Sequence, residues 1–204
     1  YITDTLKRKI EFHYQNDTNG NPDKLVAVTI PGMNENDKLQ TVRFYYEDNF
    51  SLTPKTTSGG FQSNSVVTAP STIKTLKYIY FPSTKSGYKY EYHSNYGMIK
   101  KISRMVGMQV SGDLLTTTGI VTSEGTWAAT TEYDFPNSST IITDVPKYTK
   151  RTDDWQGRLS VLPLETFFDV PEPVANQDRI SRNSVKDKEY NQATNTYSNI
   201  EIIN

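Results

Sequence analysis

The sequence predicts an all-β protein made of consecutive antiparallel hairpins that form a curved ribbon or part of a β-shell. Three observations carry this expectation. Tyrosine dominates the aromatic content, with 14 Tyr among 204 residues, and aromatic and β-branched residues suit a pleated, half-buried surface. Apolar residues recur at every second position over short runs, the period of a strand with one buried face. Clusters of Gly, Asn, Asp and Pro separate those runs, and no segment repeats its apolar residues at helical spacing.

At the start, Thr3-Asp4-Thr5-Leu6-Lys7-Arg8 has turn chemistry, and Lys9-Ile10-Glu11-Phe12-His13-Tyr14 follows as an amphipathic strand with Ile10, Phe12 and Tyr14 on one face. Asn16-Asp17-Thr18-Asn19-Gly20-Asn21-Pro22-Asp23 is a loop, and Leu25 to Ile30 returns as a strand stopped by Pro31-Gly32. The polar turn Asn34-Glu35-Asn36-Asp37 leads into a strand from Leu39 to Tyr46. Residues 51–72 are rich in Ser, Thr, Gly and Pro around Ser58-Gly59-Gly60 and read as a loop-rich insertion, in which Val66-Val67 mark a loop that packs.

Ile73 to Phe81 is a strand with Tyr78 and Tyr80 on one face and Ile79 and Phe81 on the other. The clearest hairpin runs from Gly87 to Ile102: Tyr88, Tyr90 and Tyr92 share a face, Ser94-Asn95-Tyr96-Gly97 turns the chain, and Met98 to Ile102 returns. Shorter strands are expected at Val106 to Val110 and Gly119 to Val121, and a longer one from Trp127 to Phe135, before Pro136-Asn137-Ser138-Ser139 and Thr140-Ile141-Ile142-Thr143. In the hairpin from Tyr148 to Leu159, Asp154 is expected to cap the turn, Gly157 to supply a permissive backbone and Arg158-Leu159 to open the next strand. Val170-Pro171-Glu172-Pro173 breaks the chain, and residues 166–204 form an irregular edge or the start of a further unit.

The formal net charge is -1, with 22 basic and 23 acidic residues dispersed along the chain. That balance speaks against nucleic acid or an anionic lipid surface as partner. There is no cysteine, so neither disulfides nor thiolate metal sites enter. No apolar run reaches the roughly 18 residues of a membrane-spanning helix. The chain opens at Tyr1 and closes in the strand-like Ile200-Glu201-Ile202-Ile203-Asn204, and it reads as a piece of something longer.

Superposed, the turns share a pattern: aromatic, any residue, aromatic, Asp or a substitute, two spacers, Gly, Arg, apolar. Asp154-Trp155-Gln156-Gly157-Arg158-Leu159 carries the second half, and Asp4-Thr5-Leu6-Lys7-Arg8 matches it with Lys7 in place of the glycine. Tyr90-Glu91-Tyr92 with Tyr96-Gly97-Met98-Ile99, preceded by Tyr88, carries both halves with one extra residue before the glycine and no Arg after it, and Tyr133-Asp134 supplies the Tyr-Asp pair itself. These residues resemble the YD repeats of the RHS (rearrangement hotspot) family, found also in toxin-complex shells and teneurins. The resemblance covers residues 1–165 in degenerate form. It implies a non-enzymatic wall segment of a hollow β-shell, extracellular or on the cell surface. Its partners would be neighbouring repeats of the same longer chain and an encapsulated or displayed C-terminal effector. The alternative is an extracellular β module that binds carbohydrate or protein, using Trp127 and Trp155 as stacking anchors.

No constellation argues for an enzyme, a cofactor or a metal. His13 and His93 stand apart with no paired carboxylate and read as structural or surface groups. Asp17, Asn19, Asn21 and Asp23 alternate like calcium ligands, but Gly20 and Val28 stand where an EF-hand loop needs other residues, so an Asx-rich turn is expected. Asp153 and Asp154 are adjacent and point apart on an extended chain, whereas glycoside hydrolysis needs two carboxylates facing each other about 5 to 9 Å apart. Cross-strand packing is the expected role of the Tyr88-Tyr90-Tyr92 stripe.

Overall fold

The computed structural model describes residues 1–3, 5, 7–32, 38–52, 72–94, 97–112, 115, 119–135, 148–157, 163–169, 184–191, 194 and 196–203. Among them the protein is all-β, with fourteen strands and no helix. In order these are β1 (Ile2–Thr3), β2 (Lys9–Asn16), β3 (Pro22–Pro31), β4 (Lys38–Ser51), β5 (Thr72–Phe81), β6 (Ser86–Tyr92) and β7 (Ile99–Val106). They continue as β8 (Gln109–Ser111), β9 (Ile120–Ser123), β10 (Thr126–Asp134), β11 (Lys150–Trp155), β12 (Leu164–Asp169), β13 (Ser184–Asn191) and β14 (Thr196–Ile203).

Strands consecutive in sequence pair antiparallel, as in β2 with β3, β3 with β4, β5 with β6, and β10 through β14 in turn. Each of these pairs is a hairpin of neighbouring strands. The expected packing of Val66-Val67 and the strand at Thr140 to Thr143 lie outside the described residues. Two compact units are distinguished, and β4, β6, β7 and β10 each give residues to both.

The first unit has the aliphatic and aromatic core. Tyr45, Tyr78, Tyr80, Met105 and Met108 are buried together, with Val110 and Val121 packed against them. Period-2 alternation puts Tyr78 and Tyr80 inward from β5, opposite Lys89 and Gly87 of β6. Gly87 is needed here for close approach: a Cβ would collide with the Ile79 carbonyl oxygen and stand 2.9 Å from Met108 Sδ. The expected strand from Val106 to Val110 is instead broken, because Gly107 takes a left-handed backbone (φ 72°) between β7 and β8. That break turns Met108 inward to 0% exposure, and its N–H donates to the Lys85 carbonyl at 2.8 Å.

A polar clasp closes the same core. The Tyr78 hydroxyl and Lys89 Nζ both donate to the Glu124 carboxylate, the latter at 2.9 Å. Burial pushes the Glu124 carboxyl up, but the hydrogen bonds from Tyr78 and Lys89 outweigh it and leave the group below its ordinary value.

β2 has the expected alternation, and its polar face turns inward. Ile10, Phe12 and Tyr14 are 39%, 37% and 46% exposed, while Glu11, His13 and Gln15 are half-buried. The inward surface of β3 and β4 is polar at this point: Thr29 and Arg43 are buried on it, His13 Nε2 meets Thr29 Oγ1 at 2.8 Å, and Glu11 pairs with Lys38 at 2.5 Å. Buried polar groups require such partners, so the polar side of β2 turns in to supply them.

Gly87→Ala should force β6 away from the Ile79 backbone and lose about 2–3 kcal/mol in urea unfolding, the scale of an overpacked core. The folded-state pKa of Glu124 lies below its ordinary 4.5, so its stabilisation is present above 4.5 and is lost as pH falls through the folded value. Glu124→Gln should therefore flatten the fall of the melting temperature as pH drops below 4.5.

Candidate functional site

Among the described residues of the second unit, an aromatic cluster gathers around Tyr148. Tyr133 and Phe135, two residues apart, project to the same side of β10 and its end. The Tyr148 ring lies 5.0 Å from Tyr133, 6.4 Å from Phe135 and 4.8 Å from Phe168 between centroids. His93 stands 5.3 Å from Phe135. The planes cross at 61–83°, edge to face, as the ring quadrupoles prefer.

Backbone bonds hold the rings there. Thr149 N–H donates to the Asp134 carbonyl and Phe168 N–H to the Thr149 carbonyl, both at 2.8 Å. Lys150 then pairs with Asp134 at 2.9 Å and with Glu165 at 3.4 Å. The Asp134 hydrogen bond raises the Lys150 pKa, with Glu165 adding to it. Glu132 pairs with Lys101 at 3.1 Å. The arrangement ties β10, β11 and β12 together through rings on one side and charges beside them.

Of the motif residues, Tyr133 and Asp134 fall within this cluster, and Gly97 and Gly157 hold left-handed turns at φ 65° and 78°. The Gly97 turn is closed by Gly97 N–H to the His93 carbonyl and His93 N–H to the Met98 carbonyl, each 2.8 Å. Asp154 lies within β11 opposite Thr130, and the turn follows at Gln156 and Gly157. Tyr88 meets Phe81 edge to face at 6.2 Å, and Tyr90 and Tyr92 are half-buried on β6. Arg8 borders a recess of about 250 Å³ formed with Ile2, Ile10, Ile30 and Pro31. Trp127, in the first unit, is 39% exposed and Trp155, in the second, 45%. Asp4 and Arg158 lie outside the described residues.

The Asp17 loop is an Asx turn. Its Oδ1 accepts the Asn19 and Asn21 amides at 2.8 Å each, and the Asn21 bond leads the causes that hold its carboxyl low. Among the described residues no three His, Cys, Asp or Glu converge on a metal position. Asp153 is occupied by Thr131 Oγ1 at 2.6 Å and by Arg151 Nε at 2.9 Å, so its oxygens serve strand pairing. His13 is held below its ordinary value chiefly by burial.

Sequence reasoning missed the Tyr148 cluster. The alternation Tyr133-Asp134-Phe135 was the legible part, and nothing local to Tyr148 or Phe168 announces that the ladder brings them together.

Tyr148→Ala should lose about 2 kcal/mol in denaturant unfolding, whereas Tyr148→Phe, which keeps the ring, should stay within about 0.5 kcal/mol of the parent. Comparison of the chain with protein-family models, with curated proteins and with solved structures gives no match.

Proposed function

We propose that this chain is a non-enzymatic structural segment of an exported YD-repeat shell, displayed outside the cell or on its surface. In that role it encloses or carries an effector that lies elsewhere in a longer polypeptide, and its partners are neighbouring hairpins of that polypeptide. The sheet of consecutive hairpins supports the reading, because a repeat unit with one apolar face buries it by stacking on its neighbours.

The observation that carries it is the backbone at Lys7. Its φ is 61°, matching Gly97 at 65° and Gly157 at 78° at the equivalent motif position. Lys85 is the other residue besides glycine with positive φ among the described residues. A lysine rarely adopts this conformation unaided, so its presence where the motif has glycine supports a shared turn beneath a degenerate sequence.

Exposed Trp127 and Trp155 favour the second reading, a carbohydrate- or protein-binding module. Glycan binding on an array that collapses on Trp155→Ala would decide for that module.

Under the wall reading, Lys7→Gly should stabilise the chain by about 0.5–1 kcal/mol in thermal unfolding through relief of left-handed strain. Electron microscopy of the complete gene product should show a hollow shell, and a compact particle of solid density would refute that reading.

A further inference from the structure

The outer edge of β2 is only partly paired. β3 takes the inner edge from Glu11 to Asn16, whereas β1 takes the outer edge at two residues, through Ile2 with Ile10 and Thr3 with Lys9. Among the described residues no strand lies against the outer edge of residues 11–16. An open ladder of this length offers backbone donors and acceptors to an added strand.

The side chains along that edge are selective. Phe12 and Tyr14 stand exposed on one face, in a row of apolar residues continued across the sheet by Val28 opposite Phe12, Val42 opposite Val28, and Leu25 opposite Tyr14. On the other face His13 Nε2 stands 3.8 Å from the Glu11 carboxylate, which also pairs with Lys38 at 2.5 Å. Lys7, Arg8 and Lys9, all exposed, add positive charge beside the same strand.

We infer that residues 11–16 of β2 dock an extended polypeptide segment that continues the register of β1 and reads apolar, acidic, apolar opposite Phe12, His13 and Tyr14. β1 is the precedent within the chain: a short antiparallel strand that sets Ile2 beside Ile10 on the apolar face. Directly opposed side chains on such a pair stand about 5 Å apart, so the added apolar residues cover the flanks of Phe12 and Tyr14. The added carboxylate answers the exposed positive charge of Lys7, Arg8 and Lys9 beside the strand. A second copy of β2 fits poorly, because a two-fold pairing of residues 11–15 sets His13 against His13 and Glu11 against Gln15, with no opposite charges facing. The inference needs only the edge strand and holds for a wall segment or a binding module alike.

In the register of β1, Tyr1 falls opposite Glu11, so an extension ahead of Tyr1 reaches the edge in turn. The test fuses Thr-Val-Glu-Val to Tyr1 and compares it with a Ser-Gly-Lys-Gly fusion and with the unextended chain. Readouts are hydrogen exchange at residues 12–16 and mass by sedimentation. The Thr-Val-Glu-Val fusion should slow the outward amides about tenfold as a monomer, and Phe12→Ser in that fusion should reverse the gain. Equal exchange in all three proteins would overturn the inference, as would equal protection by both fusions. Protection already present in a dimeric unextended chain would assign the edge to a second copy and overturn it as well.

Discussion

The core of the first unit depends on how closely β5 and β6 approach where Tyr80 faces Gly87. The missing side chain at Gly87 lets Met108 fill the space against the tyrosines, and Met108 reaches it only because Gly107 breaks the strand. Tyr45, Tyr78 and Met105 complete a cluster whose polar tips must be served, and Glu124 does so for Tyr78. Close packing and polar satisfaction are thus the same constraint here: the hydroxyl that makes tyrosine a costly core residue is what fastens the Glu124 turn to β5 and β6.

The second unit solves the same problem with rings. Tyr148 sits among Tyr133, Phe135 and Phe168 in edge-to-face contacts, flanked by Lys150 with its two carboxylates. Edge-to-face rings interlock and offer no paired parallel faces, which suits adhesion between strands better than the capture of a flat ligand. The charges beside them are partly exposed, so they contribute more to register than to stability.

Alternation made β2, β5, β6 and β10 legible from sequence, since period 2 is written directly in which side chains are apolar. It placed Tyr78 and Tyr80 apart from Ile79 and Phe81 correctly. It said nothing of which face of β2 turns inward, because that depends on Thr29 and Arg43 across the ladder. The Tyr148 cluster was illegible for a related reason: a strand pattern encodes faces and leaves neighbours unspecified, and Phe168 meets Thr149 only through a backbone bond between distant segments. Asp154 belongs to β11 opposite Thr130, with the turn following at Gln156 and Gly157, so turn chemistry located the turn to within two residues.

Lys7 holds a glycine-like backbone without being glycine. A turn of that kind is shaped by the strands it joins, and the residue at its apex only modulates the cost, by about 1–2 kcal/mol. Substitutions at such apices pass under the threshold of selection once the flanking ladder is secure. A chain built this way follows the path its ladders set, and the residue at the apex decides only how much strain that path carries.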